Sequence, residues 1–310
     1  MKKNLFILVL LLAGFITKAQ TNWSNVDFIK EYKVKSKMPG GVVKSFKANP
    51  TFVNDYYIAQ VSLQKGSSRP GMMQKQGVKA VFSEAALAGV SKEGIQKLID
   101  ELHAEFVKEL EAIGLNITNG DDIINTALSS GKKQKKNRMI GKTDGQVIFD
   151  KGGISDPDIK EQNIFRPNDK NVFMTTSITG GNFYNNASKK AKTNMISIGY
   201  TIRFAAFESM KTNRKNKLTT KAGLMIIPTI AMVNPKGLFA WVTFEKPIYG
   251  NNEWSEGLLE TDSRDGKFWG LSSSAEYSLK ADEAKYIEEL RQIVTNLQKD
   301  LAAHIQAKIK

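Results

Sequence analysis

Between residues 194 and 246 apolar and polar side chains alternate in three long segments parted by turn-forming residues. In the first, Ile196, Ile198, Tyr200, Ile202, Phe204 and Ala206 fall on one face, and Ser197, Gly199, Thr201 and Arg203 on the other. That period of two is the mark of a half-buried strand. In the second, Leu218, Ala222, Leu224, Ile226, Ile230 and Met232 share a face opposite Thr219, Lys221, Gly223 and Thr229. Pro228 interrupts it, and a residue without an N–H predicts a bulge or an edge position there. Asn234-Pro235-Lys236-Gly237 then suits a type I turn into a third strand over 238–245. The pattern predicts an antiparallel β-meander. Met225, Ile227, Phe239 and Trp241 on its second face predict burial on both sides.

A period near 3.6 governs two other stretches. Ile95, Leu98, Ile99, Leu102, Phe106, Leu110 and Ile113 recur at spacings of three and four, with Ser91 placed to cap the start and Gly114 to stop the end. From 282 to 310, Ile287, Leu290, Val294, Leu297, Leu301 and Ile305 approximate a heptad seam. Such a seam either docks on the body or pairs with a second copy, so a homo-oligomer through the C-terminal helix is one expectation.

The remaining chain reads as shorter pieces. Strands are predicted over 54–64, around Val78, Ala80 and Phe82, over 115–118, over 146–150 and over 172–178. A short helix is predicted from Asp121 and closed by Gly131, and another around Trp23, Val26, Phe28 and Ile29. Lys33, Lys35 and Lys37 alternate with Val34 as an exposed strand or arm would. The basic run at 132–142, the stretch from Gly152 to Pro167 and the Gly-, Asn- and Ser-rich stretch 249–274 read as loops, the last with short strand pieces. The expectation is an α+β fold: an antiparallel meander sheet with amphipathic helices on one face and a long C-terminal helix. Residues 20–281 form a single domain in this reading, and 282–310 its helical extension.

The first residues change the picture of where the chain resides. Lys2 and Lys3 precede an apolar run, 5–16, and then Thr17-Lys18-Ala19, with small residues suited to cleavage. This is the pattern of a secretory signal peptide over 1–19, and the run is shorter than the ~20 residues of a spanning helix. The expected destination is a bacterial periplasm, outer-membrane surface or medium. The chain has no cysteine, which excludes disulfides and a lipidated cysteine.

Charge narrows the partners. Loss of Lys2, Lys3 and Lys18 takes the formal charge of the 310-residue chain from +14 to +11. Solubility alone would account for such a charge; the partners expected beside that reading are anionic envelope lipids or polysaccharide rather than nucleic acid, though the field itself does not choose among anions. The densest cations are Lys132, Lys133, Lys135, Lys136 and Arg138, and Lys211, Arg214, Lys215 and Lys217 on a predicted inter-strand loop. Together they could form one anion-binding patch.

Candidate chemistry is sparse. The two histidines, His103 and His304, stand far apart, and without cysteine no zinc ligand set is apparent. Gly141-Lys142-Thr143 imitates the end of a phosphate-binding loop, but Lys136 occupies the position of its leading glycine. No G-x-S-x-G elbow is present. The acidic clusters Asp156, Asp158 and Glu161, and Glu260, Asp262 and Asp265, lack calcium-loop spacing and read as solvated turns. No catalytic residue, metal site or cofactor is therefore predicted. Trp241, Trp254 and Trp269 could stack on sugars but are expected in the core.

These observations favour an exported, non-enzymatic envelope or secreted protein that binds or assembles with partners through basic loops. Two alternatives stand beside it. One is an oligomeric outer-membrane component whose copies each contribute a hairpin to one barrel, an arrangement similar in architecture to secretion pores of the curli-assembly type. The other is a carboxylate-based hydrolase.

Overall fold

The computed structural model describes residues 21–71, 74, 77–129, 135–136, 138–140, 158–171, 188–265 and 272–309. The predicted signal peptide, Lys132, Lys133, Gly131, Asp156, Trp269 and the strands predicted over 146–150 and 172–178 lie outside them.

In chain order, a 3-10 turn at Trp23–Asn25 leads to α1 (Phe28–Glu31), β1 (Lys35–Lys37), α2 (Gly40–Ala48), β2 (Thr51–Ser68), β3 (Ala80–Ala88), α3 (Lys92–Ala112) and α4 (Asp121–Ser129). Short strands β4 (Lys135–Lys136), β5 (Arg138–Ile140), β6 (Ile159–Phe165) and β7 (Lys170–Asn171) follow. Then come β8 (Asn194–Lys211), β9 (Asn216–Val233), β10 (Phe239–Thr243), β11 (Ile248–Tyr249), β12 (Ser255–Asp265), β13 (Ser272–Ala281) and α5 (Glu283–Ile309).

The molecule is an α+β protein built on one mainly antiparallel sheet. Its path runs β1-β10-β9-β8-β2-β3-β13-β12, with β11 beside β9, β6 beside β2 and β5 beside β6. The predicted meander is β8, β9 and β10, paired antiparallel from Met195↔Val233 outward. Two pairings are parallel, β2 with β8 and β3 with β13, so the meander is stitched to the earlier chain through β2.

Pro228 lies opposite Tyr200 on β8. On its other side, the pairing of β9 with β10 ends at Ile230 and that with β11 begins at Ile226. The proline thus occupies a local edge within a long strand, where no ladder partner among the described residues stands on that flank. The apolar face predicted for β8 is buried as far as Phe204, with Gly199 and Thr201 opposite it buried too, and beyond it the register of the face breaks: Ala205 is buried and Ala206 half-buried. The cause is a bulge, since Arg203 pairs with Met225 but Ala205 with Ala222. Gln64 of β2 serves the bulged region with its side-chain amide. Its Oε1 accepts the N–H groups of Phe204 (2.9 Å) and Ala205 (3.0 Å), and its Nε2 donates to Ala205 O at 3.2 Å.

One face of this sheet carries the helices. Ile196, Ile198, Tyr200, Ile202 and Phe204 join Leu224, Ile226, Ile230 and Met232 in a single apolar core with Leu98, Leu102 and Phe106 of α3 and Leu290, Val294 and Leu297 of α5. Each such side chain contributes roughly 1.5–3 kcal/mol relative to exposure. Ser91 caps α3 by accepting the N–H of Gly94 at 2.9 Å, and Gly114 follows the helix at φ 91°.

The buried stripe of α5 includes Tyr286, Ile293, Gln298 and Ala302 as well as the predicted seam. That is the wide apolar face of a helix docked on its own domain. Along it Thr295 donates to Glu105 at 2.8 Å, Arg291 pairs with Glu101, and Asp300 accepts the N–H of Phe28 at 2.8 Å.

Several loop expectations are corrected. Lys135, Lys136 and Arg138 belong to strand pieces rather than loop, because β4 pairs with β7 and β5 with β6. β6 occupies part of the stretch read as irregular. β12 and β13 form a long hairpin at the outer edge of the sheet, where polar residues on both faces meet solvent and erase the alternation that marks a half-buried strand. The second face of the meander is also wetter than expected: Trp241 is 47% exposed, Met225, Ile227 and Phe239 are half-buried, and Lys221 is exposed.

Candidate functional site

The β8–β9 hairpin ends in a loop, 212–215, that one side chain organises. Thr212 Oγ1 accepts the N–H of Lys215 (3.0 Å) and of Arg214 (3.4 Å), while Thr212 N donates to Lys215 O at 2.9 Å. Such side-chain closure fixes a turn without glycine. Around it Lys211, Arg214, Lys215 and Lys217 are all exposed, as is Met210 beside them at 63%.

A second connection is fastened to this tip. Gln74, between β2 and β3, donates from Nε2 to Thr212 O (2.5 Å) and Asn216 Oδ1 (2.9 Å). Asn216 in turn donates to Lys79 O (2.9 Å) and Ser68 O (3.4 Å), and Ser209 Oγ lies 2.7 Å from Ser68 Oγ. Asn216 and Ser68 are buried, so these bonds are shielded from water and hold the two connections in one place. The exposed cations Arg69 and Lys79 thereby join the four of the hairpin. Among the described residues, Lys211, Arg214, Lys215 and Lys217 make no ion pair, and nearby Glu208 is turned to Lys221 at 2.7 Å. The result is a concentration of positive charge at the end of the hairpin, with the exposed Met210 paired beside Lys217.

Of the other cations of the predicted patch, Lys132 and Lys133 lie outside the described residues. Arg138 is paired to Ile164, which pairs to Ala59 of β2, whereas the hairpin meets β2 at Ser68. Nine residues of extended chain, ~30 Å, separate the two points along the strand. Lys135 and Lys136 run beside Asn171 and Lys170. The register of β6 on β2 thus sets the backbone of Arg138 apart from the hairpin tip.

The remaining candidates resolve into packing. The His103 ring meets Tyr56 edge-on at 5.2 Å, and burial holds its pKa below the usual value against an opposing effect of Asp100. His304 lies 2.9 Å from Ser36 Oγ. Trp254 is fully buried against Tyr286, as expected of a core tryptophan. Trp241 instead lies open on β10, opposite Lys37 and beside Phe239, in a shallow groove that also holds Lys35 and Thr243. Glu260, Asp262 and Asp265 stand on β12 and Glu161 on β6, not in the turns expected of them, while Asp158 is a turn residue as expected. Among the described residues no three His, Asp or Glu side chains converge as a metal site would require, and no helix is long and apolar enough to cross a membrane.

Compared with known protein families, curated proteins and solved structures, the chain matches none. Inference about its role therefore rests on its own geometry.

Sequence reading found the four hairpin cations by their clustering but missed Arg69 and Lys79, which reach the site through contacts distant in sequence, those of Gln74 with Thr212 and of Asn216 with Ser68 and Lys79.

Proposed function

We propose that this chain is an exported, non-enzymatic envelope or secreted protein that attaches to an anionic surface through the basic end of its sheet. The observation that carries the reading is the quartet Lys211, Arg214, Lys215 and Lys217, exposed on a braced hairpin with no carboxylate among the described residues to neutralise it. A solvated surface normally mixes signs of charge. Here one sign is collected beside Met210, whose exposed thioether chain can enter the boundary of a lipid headgroup layer while the cations hold phosphates. The apolar face that a barrel subunit would turn to lipid is already covered by α3 and α5. This favours attachment at a surface over insertion.

The test is co-sedimentation of the purified chain with vesicles of phosphatidylglycerol or of phosphatidylcholine, and in parallel with an acidic polysaccharide such as alginate. Each cation near an anionic membrane contributes ~1 kcal/mol. Replacing all four by glutamate should lower affinity for phosphatidylglycerol by on the order of 10³-fold or more. Binding should weaken as salt rises. Preference for alginate over vesicles would identify polysaccharide as the source of the anions. Equal binding to phosphatidylcholine, or binding unaffected by the four glutamates, would overturn the reading.

A further inference from the structure

The strands at one end of the sheet, β1 and β10, carry an aromatic side chain in the open where burial was expected. Trp241 is 47% exposed, whereas Trp23 and Trp254 are 3% and 0% exposed. Single exposed aliphatic side chains are common on proteins, but an indole left in water is kept rare on surfaces that have no use for it. Alternation along β10 places it there. Ala240 and Val242 are buried in the core, so Trp241 and its neighbours at a spacing of two, Phe239 and Thr243, occupy the other face.

Register decides what stands beside the ring. Lys37 of β1 pairs with Trp241 and Lys35 with Thr243, so both lysines share the face of the indole. These four residues, with Ser36, line a shallow groove of about 350 Å³. The two ammonium groups differ. Lys35 is paired with Glu245, while Lys37, also exposed, makes no ion pair among the described residues. The Phe239 ring centre lies 6.1 Å from that of Trp241 at an interplanar angle of 43°, so a second ring flanks the indole on one side.

The groove thus offers an aromatic surface open to solvent, one cation beside it and, at its margin, a second cation already neutralised. The face of an aromatic ring is negative and attracts the slightly positive C–H groups of a saturated ring laid on it. The ammonium of Lys37 then favours a carboxylate on the rim of that ring. A single-stranded nucleic acid would need a row of cations tracking its phosphates, and the pairing of Lys35 with Glu245 breaks such a row. We propose that the Trp241 groove binds a saccharide that carries a carboxylate, a uronic-acid residue of an acidic glycan, with its C–H face on the indole and its carboxylate on Lys37. The site stands apart from the basic hairpin. Ala231, in register with Trp241, and Lys217 lie fourteen residues apart on β9, ~45 Å of extended chain.

The test is titration of the ¹⁵N-labelled chain with galacturonate, with galactose and with a thymidine oligonucleotide, following the Trp241 indole N–H signal, which its loss in Trp241→Phe assigns. Galacturonate should shift that signal saturably, with Kd on the order of 1 mM. Galactose, the same ring without the carboxylate, should bind about threefold more weakly. Both side chains are exposed, so their replacement spares the core. Trp241→Ala, read from the ligand's own signals, should weaken galacturonate binding about tenfold. Lys37→Gln should remove the preference for galacturonate over galactose. The variant with four glutamates on the hairpin should bind galacturonate as the parent does, because the tip lies several screening lengths away. No saturable shift, equal affinity for galactose, a preference unchanged in Lys37→Gln, or a tighter response of the same signal to the oligonucleotide would each overturn the proposal. Loss of galacturonate binding in the four-glutamate variant would place the anion on the hairpin and overturn it too. Failure of the hairpin to bind vesicles leaves the groove as it stands, since the two readouts share no residue.

Discussion

Arg166 Nε lies 3.1 Å from Asp55 Oδ1, joining the end of β6 to the start of β2 with side chains only 2% and 6% exposed. The guanidinium carbon also stands 6.0 Å from the Tyr57 ring centre. Arg166 O accepts from Gln96 Nε2 at 2.8 Å, and Asp100, which Gln96 also contacts, receives the N–H of Asn168 at 2.7 Å. A buried charge pair thus sits where sheet and α3 meet the same turn, and it forces β6 to pair at one place on β2.

Removal of one partner leaves the other charge buried. Arg166→Ala should therefore cost about 3–5 kcal/mol in urea unfolding, while Asp55→Leu combined with Arg166→Met should cost clearly less. A loss under about 1 kcal/mol for Arg166→Ala would show that water reaches the pair.

The same tyrosine constrains its neighbour on β8. Gly199 pairs with Tyr57, and a Cβ built on Gly199 would fall inside the phenol ring. The ring lies across the glycine as aromatic side chains do over gaps in a sheet. Gly199→Ala should destabilise the fold by about 1–3 kcal/mol through displacement of that ring. In a double-mutant cycle with Tyr57→Ala the cost of Gly199→Ala should shrink, and additive effects would refute direct contact.

How much could be read from the chain beforehand follows from which elements are half-buried. β9, α3 and α5 each have a wetter and a drier side, and in β8 the second face, though largely covered, is polar, so their periods betray them. β2 is buried on both faces over much of its length, with Asn54, Asp55 and Gln60 inside, so its polar residues blurred its ends. β12 is exposed on both faces, with Leu259 at 68%, and so looked like loop. Charge clustering along the chain revealed Lys211, Arg214, Lys215 and Lys217. Trp241 and Lys37 stand side by side only because β10 returns to pair with β1, and no local pattern encodes that return.

Acidification should weaken the fold through histidine. The His103 pKa is held down by burial, and that of His304 by burial and by Lys308. A depressed pKa means the unfolded chain takes up the proton first. The stability is thus present above the unfolded value of ~6.5 and is lost as pH falls from there through the folded value. Unfolding measured at pH 7 and pH 5 should show a drop that is smaller in His103→Phe, which retains a ring against Tyr56. An equal drop in both proteins would assign the acid sensitivity to other groups.

Gln298 is the one strongly polar side chain in the buried stripe of α5, and it donates to the hydroxyls of Tyr56 and, at 3.2 Å, Tyr200. About three turns earlier, Tyr286 donates to Gln60 at 3.0 Å. Apolar contacts would tolerate sliding of the helix, but these bonds pair at one setting only, so the two glutamine–tyrosine contacts fix the register of α5 on the sheet. Gln298→Leu leaves two buried hydroxyls short of a donor and should cost about 1–3 kcal/mol. Tyr56→Phe added to it should restore part of that loss by removing one stranded hydroxyl. Hydrogen exchange supplies the second readout: amides of α5 should lose protection in Gln298→Leu before those of α3 do. Uniform loss across both helices would mean that the glutamine supports the core as a whole and sets no register.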